Sequence, residues 1–91
     1  MKEFTYTVQD PNGLHARPAG KLAAFAKQFS SEIRVQNNEK DADCKRLLSL
    51  MSLGAVCGTA LQFRITGGDE ENASQELQRY CNEVLYTGES V

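Results

Sequence analysis

Phe4, Tyr6 and Val8 alternate with Glu3, Thr5, Thr7 and Gln9, the period-two pattern of a strand buried on one face. The turn-rich run Asp10-Pro11-Asn12-Gly13 ends it. From Ala16 to about Phe29 the spacing becomes helical: Leu22, Ala26 and Phe29 fall at i, i+4 and i+7, and Ala19 and Ala23 fill the same side. Small residues on that stripe let the helix lie close to a sheet. Ile33 and Val35, alternating with Glu32, Arg34 and Gln36, predict a second strand. Asn37-Asn38 before Lys40 to Asp43 predicts a tight hairpin into a short third strand. Glu39 stands where an Asn-Gly turn would carry glycine, which leaves the turn type open. The Leu- and Met-rich run Arg46 to Leu53 predicts a short second helix, ended by Gly54. Leu61, Phe63 and Ile65 alternate with Ala60, Gln62 and Arg64 in a fourth strand, broken by Thr66-Gly67-Gly68. Asp69 suits the N-cap of a last helix whose first turn holds Glu70 and Glu71. Its buried stripe is Ala73, Leu77, Cys81 and Val84, with Tyr80 alongside, and the tail from Thr87 to Val91 reads as frayed.

The resulting order is β-α-β-β-α-β-α, an α+β arrangement in which an antiparallel or mixed sheet has its helices segregated to one face, an open-faced sandwich. At 91 residues the chain reads as one domain, 1–91, with no second core. A formal net charge of −2 argues against a nucleic-acid surface, which carries a basic excess, and leaves proteins or small anions as partners. Three cysteines, Cys44, Cys57 and Cys81, are an odd number without zinc or CxxC spacing, so reduced thiols with no metal site are expected. Cys81 falls on the core stripe, while Cys44 and Cys57 are expected to be partly exposed. Met1-Lys2-Glu3-Phe4 has no apolar signal core and no run is long enough to cross a bilayer, which predicts a cytoplasmic protein without membrane insertion. No oligomerisation motif stands out, so a monomer is the default.

The chemistry-bearing stretch is Asn12-Gly13-Leu14-His15-Ala16-Arg17-Pro18-Ala19. Proline lacks an N–H and is tolerated in the first helical turn, where amide donors have no intrahelical partner. Pro18 therefore places His15 at or beside the N-cap, with the N–H groups of Ala16 and Arg17 unpaired and facing outward. A neutral imidazole is a competent nucleophile near pH 7, and a helix N-terminus disfavours its protonation. An attached phosphoryl group would gain ~0.3 to 2 kcal/mol from the amides and the helix dipole. The Arg17 guanidinium would add roughly 1.5 to 3 kcal/mol by forking onto two oxygens. That is enough to hold the group without trapping it. Phosphoryl transfer relies on positioning and charge stabilisation; no general base is required, and none is evident. Neither a carboxylate dyad, a serine triad nor a metal cluster is visible, and no cofactor is expected.

Pro11 to Ala19 resembles the active-site signature of HPr, the phosphocarrier family of the bacterial phosphoenolpyruvate:sugar phosphotransferase system. Met51-Ser52-Leu53-Gly54 resembles the family's second-helix motif, and Gly67-Gly68-Asp69-Glu70-Glu71 with Ala73 and Leu77 its last helix. The likeness runs over nearly the whole chain. It implies a four-stranded antiparallel sheet covered on one face by three helices. It also implies that Enzyme I phosphorylates His15 on Nδ1, with Arg17 assisting, and that the group passes to a sugar-specific enzyme IIA.

Leu47, Leu48, Leu50, Met51 and Leu53 are more apolar side chains than one face of so short a helix buries. Leu50 and Leu53 read as core; Leu47, Leu48 and Met51 form a candidate docking patch. In the family this region and the first helix, here with Lys21 and Lys27, contact Enzyme I and enzyme IIA. The chain departs from the family pattern in two places. Where Gram-positive HPr proteins carry a regulatory serine this chain has Arg46, unfavourable beside a helix N-terminus unless Asp43 caps an earlier start. Ser49 and Ser52 read as ordinary helix residues. The first helix also carries Gly20 and Ala24 in place of basic residues, which bears on affinity for Enzyme I. These departures leave open an alternative function: a diverged regulatory protein that binds a transcription factor or enzyme and no longer feeds transporters.

Overall fold

The computed structural model describes residues 1–83 and 85. Its elements are β1 (Lys2–Thr7), α1 (Ala16–Ala26), β2 (Glu32–Asn37), β3 (Lys40–Asp43), α2 (Leu47–Met51), β4 (Ala60–Thr66) and α3 (Glu70–Glu83). The expected βαββαβα order is observed, and the strands form one antiparallel sheet in the order β1-β4-β2-β3. Val84 and the tail from Thr87 lie outside the described residues.

Alternation along the strands builds the core. Phe4, Tyr6, Ile33, Val35, Leu61, Phe63 and Ile65 all point into it. Phe63 sits at the centre, opposite Phe4 on one side and Val35 on the other, with its ring stacked on Phe4 at 4.6 Å. Burying each large apolar side chain of this kind stabilises the fold by roughly 1.5–3 kcal/mol. The intervening residues, Glu3, Thr5, Gln62 and Arg64 among them, make a polar face that no helix covers among the described residues. On the other face α3 lies across β1 and β4, α2 sits beside β3, and α1 packs between α2 and α3. The alanine stripe does what its size suggests: Ala19, Leu22, Ala23 and Ala26 are buried.

The termini of the elements differ from the sequence expectation in instructive ways. Helix α1 stops at Ala26, and the chain tightens into i→i+3 bonds, Gln28 N–H to the Phe25 carbonyl and Phe29 N–H to that of Ala26. Phe29 remains buried, while the Gln28 side chain and the Lys45 ammonium satisfy the carbonyls of Phe25 and Phe29 at 3.0 and 2.6 Å. In the β2–β3 hairpin Asn38 alone takes a positive φ of 58°, which excludes the type I′ turn because that needs two such residues.

Asp69 precedes α3 as expected, but its carboxylate serves another part of the chain. It accepts hydrogen bonds from the N–H groups of Ser30 and Ser31, each at 3.0 Å, and from the Ser31 hydroxyl. Ser31 is the buried polar residue of the core, so its donors require an acceptor, and Asp69 supplies it. Glu70 takes over the local role, accepting from Gly67 N–H at 3.0 Å.

The Ser31 hydroxyl and the two amides hold the Asp69 carboxyl below the usual aspartate range. A carboxyl whose pKa is lowered by folding stabilises the fold above its unfolded value, about 4, and loses that contribution as the pH falls through the folded value. Urea unfolding of wild type and Asp69→Asn across pH 2 to 6 is expected to show the wild type losing stability more steeply below about pH 4. Parallel curves would refute the assignment.

Candidate functional site

Pro18, buried, occupies the third position of α1, where its missing N–H leaves no bond unmade. His15 is the N-cap, in extended backbone conformation (φ −90°, ψ −169°), and its side chain makes no capping bond. The ring is 38 % exposed. The first intrahelical bond runs from Ala19 N–H to the His15 carbonyl at 3.0 Å, so the amides of Ala16 and Arg17 have no acceptor among the described residues. Arg17 is exposed, and its guanidinium pairs with no carboxylate among them. His15 and the free amides thus stand where Pro18 put them, with the exposed Arg17 guanidinium alongside.

The structure adds one group that the sequence reading missed. Asp10 reaches the ring, with Oδ2 3.2 Å from His15 Nε2. Its other oxygen accepts from Asn12 N–H at 2.8 Å, and its carbonyl accepts from Gly13 N–H at 2.8 Å, so residues 10–13 fold back on themselves. The sequence reading saw no general base; the structure places a carboxylate beside the ring. The Asp-Pro-Asn-Gly run announced a turn, and aspartate commonly bonds the amide two residues on. That the turn would present the second oxygen to the ring depends on how it is anchored.

The anchor is the segment between α2 and β4. Leu14, buried, donates its N–H to the Ala55 carbonyl at 3.0 Å, Val8 N–H bonds the Thr59 carbonyl and Gly58 N–H bonds that of Val8, both at 2.9 Å. Gly13 has φ +76°, and a Cβ there would stand 2.5 Å from the Ala55 oxygen. Only glycine permits that approach without moving backbone.

Helix α2 is shorter than predicted, with Arg46 as its N-cap and no side-chain capping bond. Asp43 does not cap it: its carboxylate accepts from Lys45 N–H at 3.0 Å, turning the chain before the helix begins. Ser49 is more than an ordinary helix residue, because its hydroxyl accepts from Asp43 N–H at 2.9 Å and ties α2 to the end of β3. Leu50 and Leu53 are buried, whereas Leu47, Met51 and above all Leu48, at 78 %, are exposed. Val56, also exposed, was not anticipated. Lys21 and Lys27 are exposed on α1, as is Ala24, with Gly20 half-buried. Lys27 caps the far end of α1, roughly 18 Å from His15 at 1.5 Å per residue, so the helix does not bring those two together.

Cys44 is buried, not partly exposed, because it follows β3 directly and its N–H is bonded to the Ile33 carbonyl. Burial pushes its thiol well up, and that of Cys81 to about 12, which leaves both poor nucleophiles. Cys57 is exposed as expected. Among the described residues no three His, Cys, Asp or Glu side chains cluster as a metal ion would require, and no helix is long and apolar enough to cross a membrane.

A protein-family model described as "PTS HPr component phosphorylation site" matches residues 2–83. The chain belongs to the HPr family. It is 39 % identical over 84 residues to a phosphocarrier protein HPr of Lysinibacillus sphaericus, covering 92 % of this chain and 96 % of that one. The crystal structure of HPr-C-His from Thermoanaerobacter tengcongensis superimposes with a TM-score of 0.84 at 36 % identity, covering 90 % and 92 % of the two chains. The Bacillus subtilis catabolite repression protein Crh, whose crystal structure is a swapped dimer, aligns at a TM-score of 0.72 and 31 % identity over 91 % and 95 %. HPr proteins are carriers of a phosphoryl group, not enzymes, and this chain is a phosphocarrier of the phosphotransferase system.

Replacing Gly13 by alanine is expected to destabilise the protein by about 2–5 kcal/mol, a left-handed backbone penalty plus an overpacking clash. Thermal unfolding measures the loss, and an unchanged midpoint would show that the loop does not need its contact with Ala55.

Proposed function

We propose that His15 accepts a phosphoryl group on Nδ1 from phosphorylated Enzyme I and passes it to a sugar-specific enzyme IIA. The observation that carries this is the N-cap placement of an accessible imidazole beside two free amides. Among the described residues its Nδ1 has no hydrogen-bond partner, while Nε2 has one. Arg17 supplies the charge that steadies the phosphoryl oxygens, and the amides of Ala16 and Arg17 supply the remaining donors. No step requires a metal or a cofactor in this scheme, since the nucleophile and the anion-binding groups belong to one helical turn.

The exposed side chains of Leu47, Leu48 and Met51 serve as the docking patch, aided by Lys21 and Lys27 on α1. Helix α2 packs against α1, which keeps the patch on the helix layer that carries His15. Arg46 has no hydroxyl, so a serine-directed switch at the start of α2 is absent. The retained His15 and Arg17 favour a working carrier over a purely regulatory protein. We read the carrier as a cytoplasmic monomer; a dimer in sedimentation would overturn that part.

Mixing the protein with phosphoenolpyruvate and Enzyme I is expected to give an acid-labile phosphorus NMR signal that His15→Ala abolishes. Arg17→Ala is expected to slow transfer roughly ten- to a hundredfold, the equivalent of one charge-assisted bond. Labelling that persists in His15→Ala would refute the site.

Leu48→Asp is expected to weaken Enzyme I or enzyme IIA binding at least tenfold in a calorimetric titration, since it puts a charge into an apolar contact. Its own melting temperature should stay near that of the wild type, because Leu48 is exposed. Unchanged affinity would move the docking surface elsewhere.

A further inference from the structure

Asp10 and His15 form a pair whose geometry has a chemical consequence. The carboxylate Oδ2 lies 3.2 Å from Nε2, and Oδ1 is held by Asn12 N–H at 2.8 Å. The acid is mostly shielded, with 16 % of its side chain exposed, against 38 % for the imidazole. It is therefore a fixed acceptor, not a mobile surface charge.

We infer that Asp10 is a positioning residue for phosphoryl transfer, selecting the His15 tautomer and balancing the charge that develops on the ring. This rests on His15 being the phosphoryl acceptor. A neutral imidazole carries one N–H and one lone pair, and the hydrogen bond made by one nitrogen decides which nitrogen keeps the lone pair. A carboxylate only accepts, so it favours the proton on Nε2 and leaves the lone pair on Nδ1. When that lone pair forms the N–P bond, the donor's bond to phosphorus breaks and its electron pair leaves with the donor. The proton stays on Nε2 throughout, and the ring becomes a phosphoimidazolium carrying one positive charge. Asp10 faces that charge across the Nε2–H bond. On delivery the N–P electron pair returns to Nδ1 and the neutral tautomer is restored. The division of labour is that of an aspartate behind a catalytic histidine, which orients the ring and stabilises its cation without taking the proton.

Two substitutions, Asp10→Asn and Asp10→Ala, test the pair. An asparagine side chain has one oxygen, so with that oxygen kept on Asn12 N–H it turns its amide donors toward Nε2; alanine removes the contact altogether. The measurement is nitrogen NMR of the His15 ring in the unphosphorylated protein, at a pH where the ring is neutral, paired with the rate of phosphoryl transfer from Enzyme I. Wild type is expected to show Nε2 protonated and Nδ1 as the lone-pair nitrogen. Asp10→Ala is expected to shift toward a mixture of tautomers and to slow transfer about tenfold or more, in the lower range of positioned acid–base effects. Asp10→Asn, which aims an amide donor at Nε2, should favour the opposite tautomer with the lone pair on Nε2 and slow transfer at least as much. The inference falls if Asp10→Ala leaves both the ring signals and the rate unchanged, or if the wild-type proton sits on Nδ1. A wild-type protein with the expected ring signals that Enzyme I fails to label would instead count against His15 as acceptor, so the two failures are distinct.

Discussion

Three backbone hydrogen bonds between residues 8–14 and 55–59 are the constraint on which the site depends. Ordering a residue costs roughly 1–2 kcal/mol of backbone entropy, so an unsupported turn at residues 10–13 would sample many shapes. The bonds to Ala55 and Thr59, with Val8 and Leu14 buried on either side of the turn, leave it one shape. Gly13 makes the fit possible because its missing side chain lets the turn lie against the Ala55 carbonyl. Only with the loop in that position does Asp10 stand under the imidazole. The site is thus built jointly by the segment before α1 and the segment before β4, more than forty residues apart in the chain.

Much of the fold could be read from the order of side chains alone. Strict alternation around Phe4, Ile33 and Phe63 gave three of the strands one core face, and the hairpin followed from Asn37-Asn38 before Lys40. Ends were harder, because they are settled by partners distant in sequence. Asp69 looked like a cap for its own helix, yet the buried donors of Ser31 claimed it. Phe29 fitted the helical stripe, yet it is buried from a tightened turn beyond the last helical residue.

The candidate site divides along the same line. Pro18 fixed where the helix begins and hence where His15 stands, since proline has few tolerated positions in a helix. The exposed leucines could be counted, because one face of so short a helix cannot bury all of Leu47, Leu48, Leu50, Met51 and Leu53. Asp10 was invisible for a physical reason: its approach to the ring arises from how the loop is pinned to residues 55–59, and pinning leaves no periodicity. Cys44 escaped for a similar cause, its burial following from the register of β3 beside β2.

One nitrogen at one helix mouth has a kinetic corollary. Donor and recipient would have to meet the same atom over the same small rim, so they cannot be seated together. Traffic through such a carrier alternates: loading, departure, arrival, unloading. An excess of either partner then obstructs the other, and throughput peaks when both let go quickly. The proposed docking patch of three apolar side chains would suit that rhythm better than a wide, tenacious interface, because affinity differences between related complexes are expressed mainly in how fast they separate.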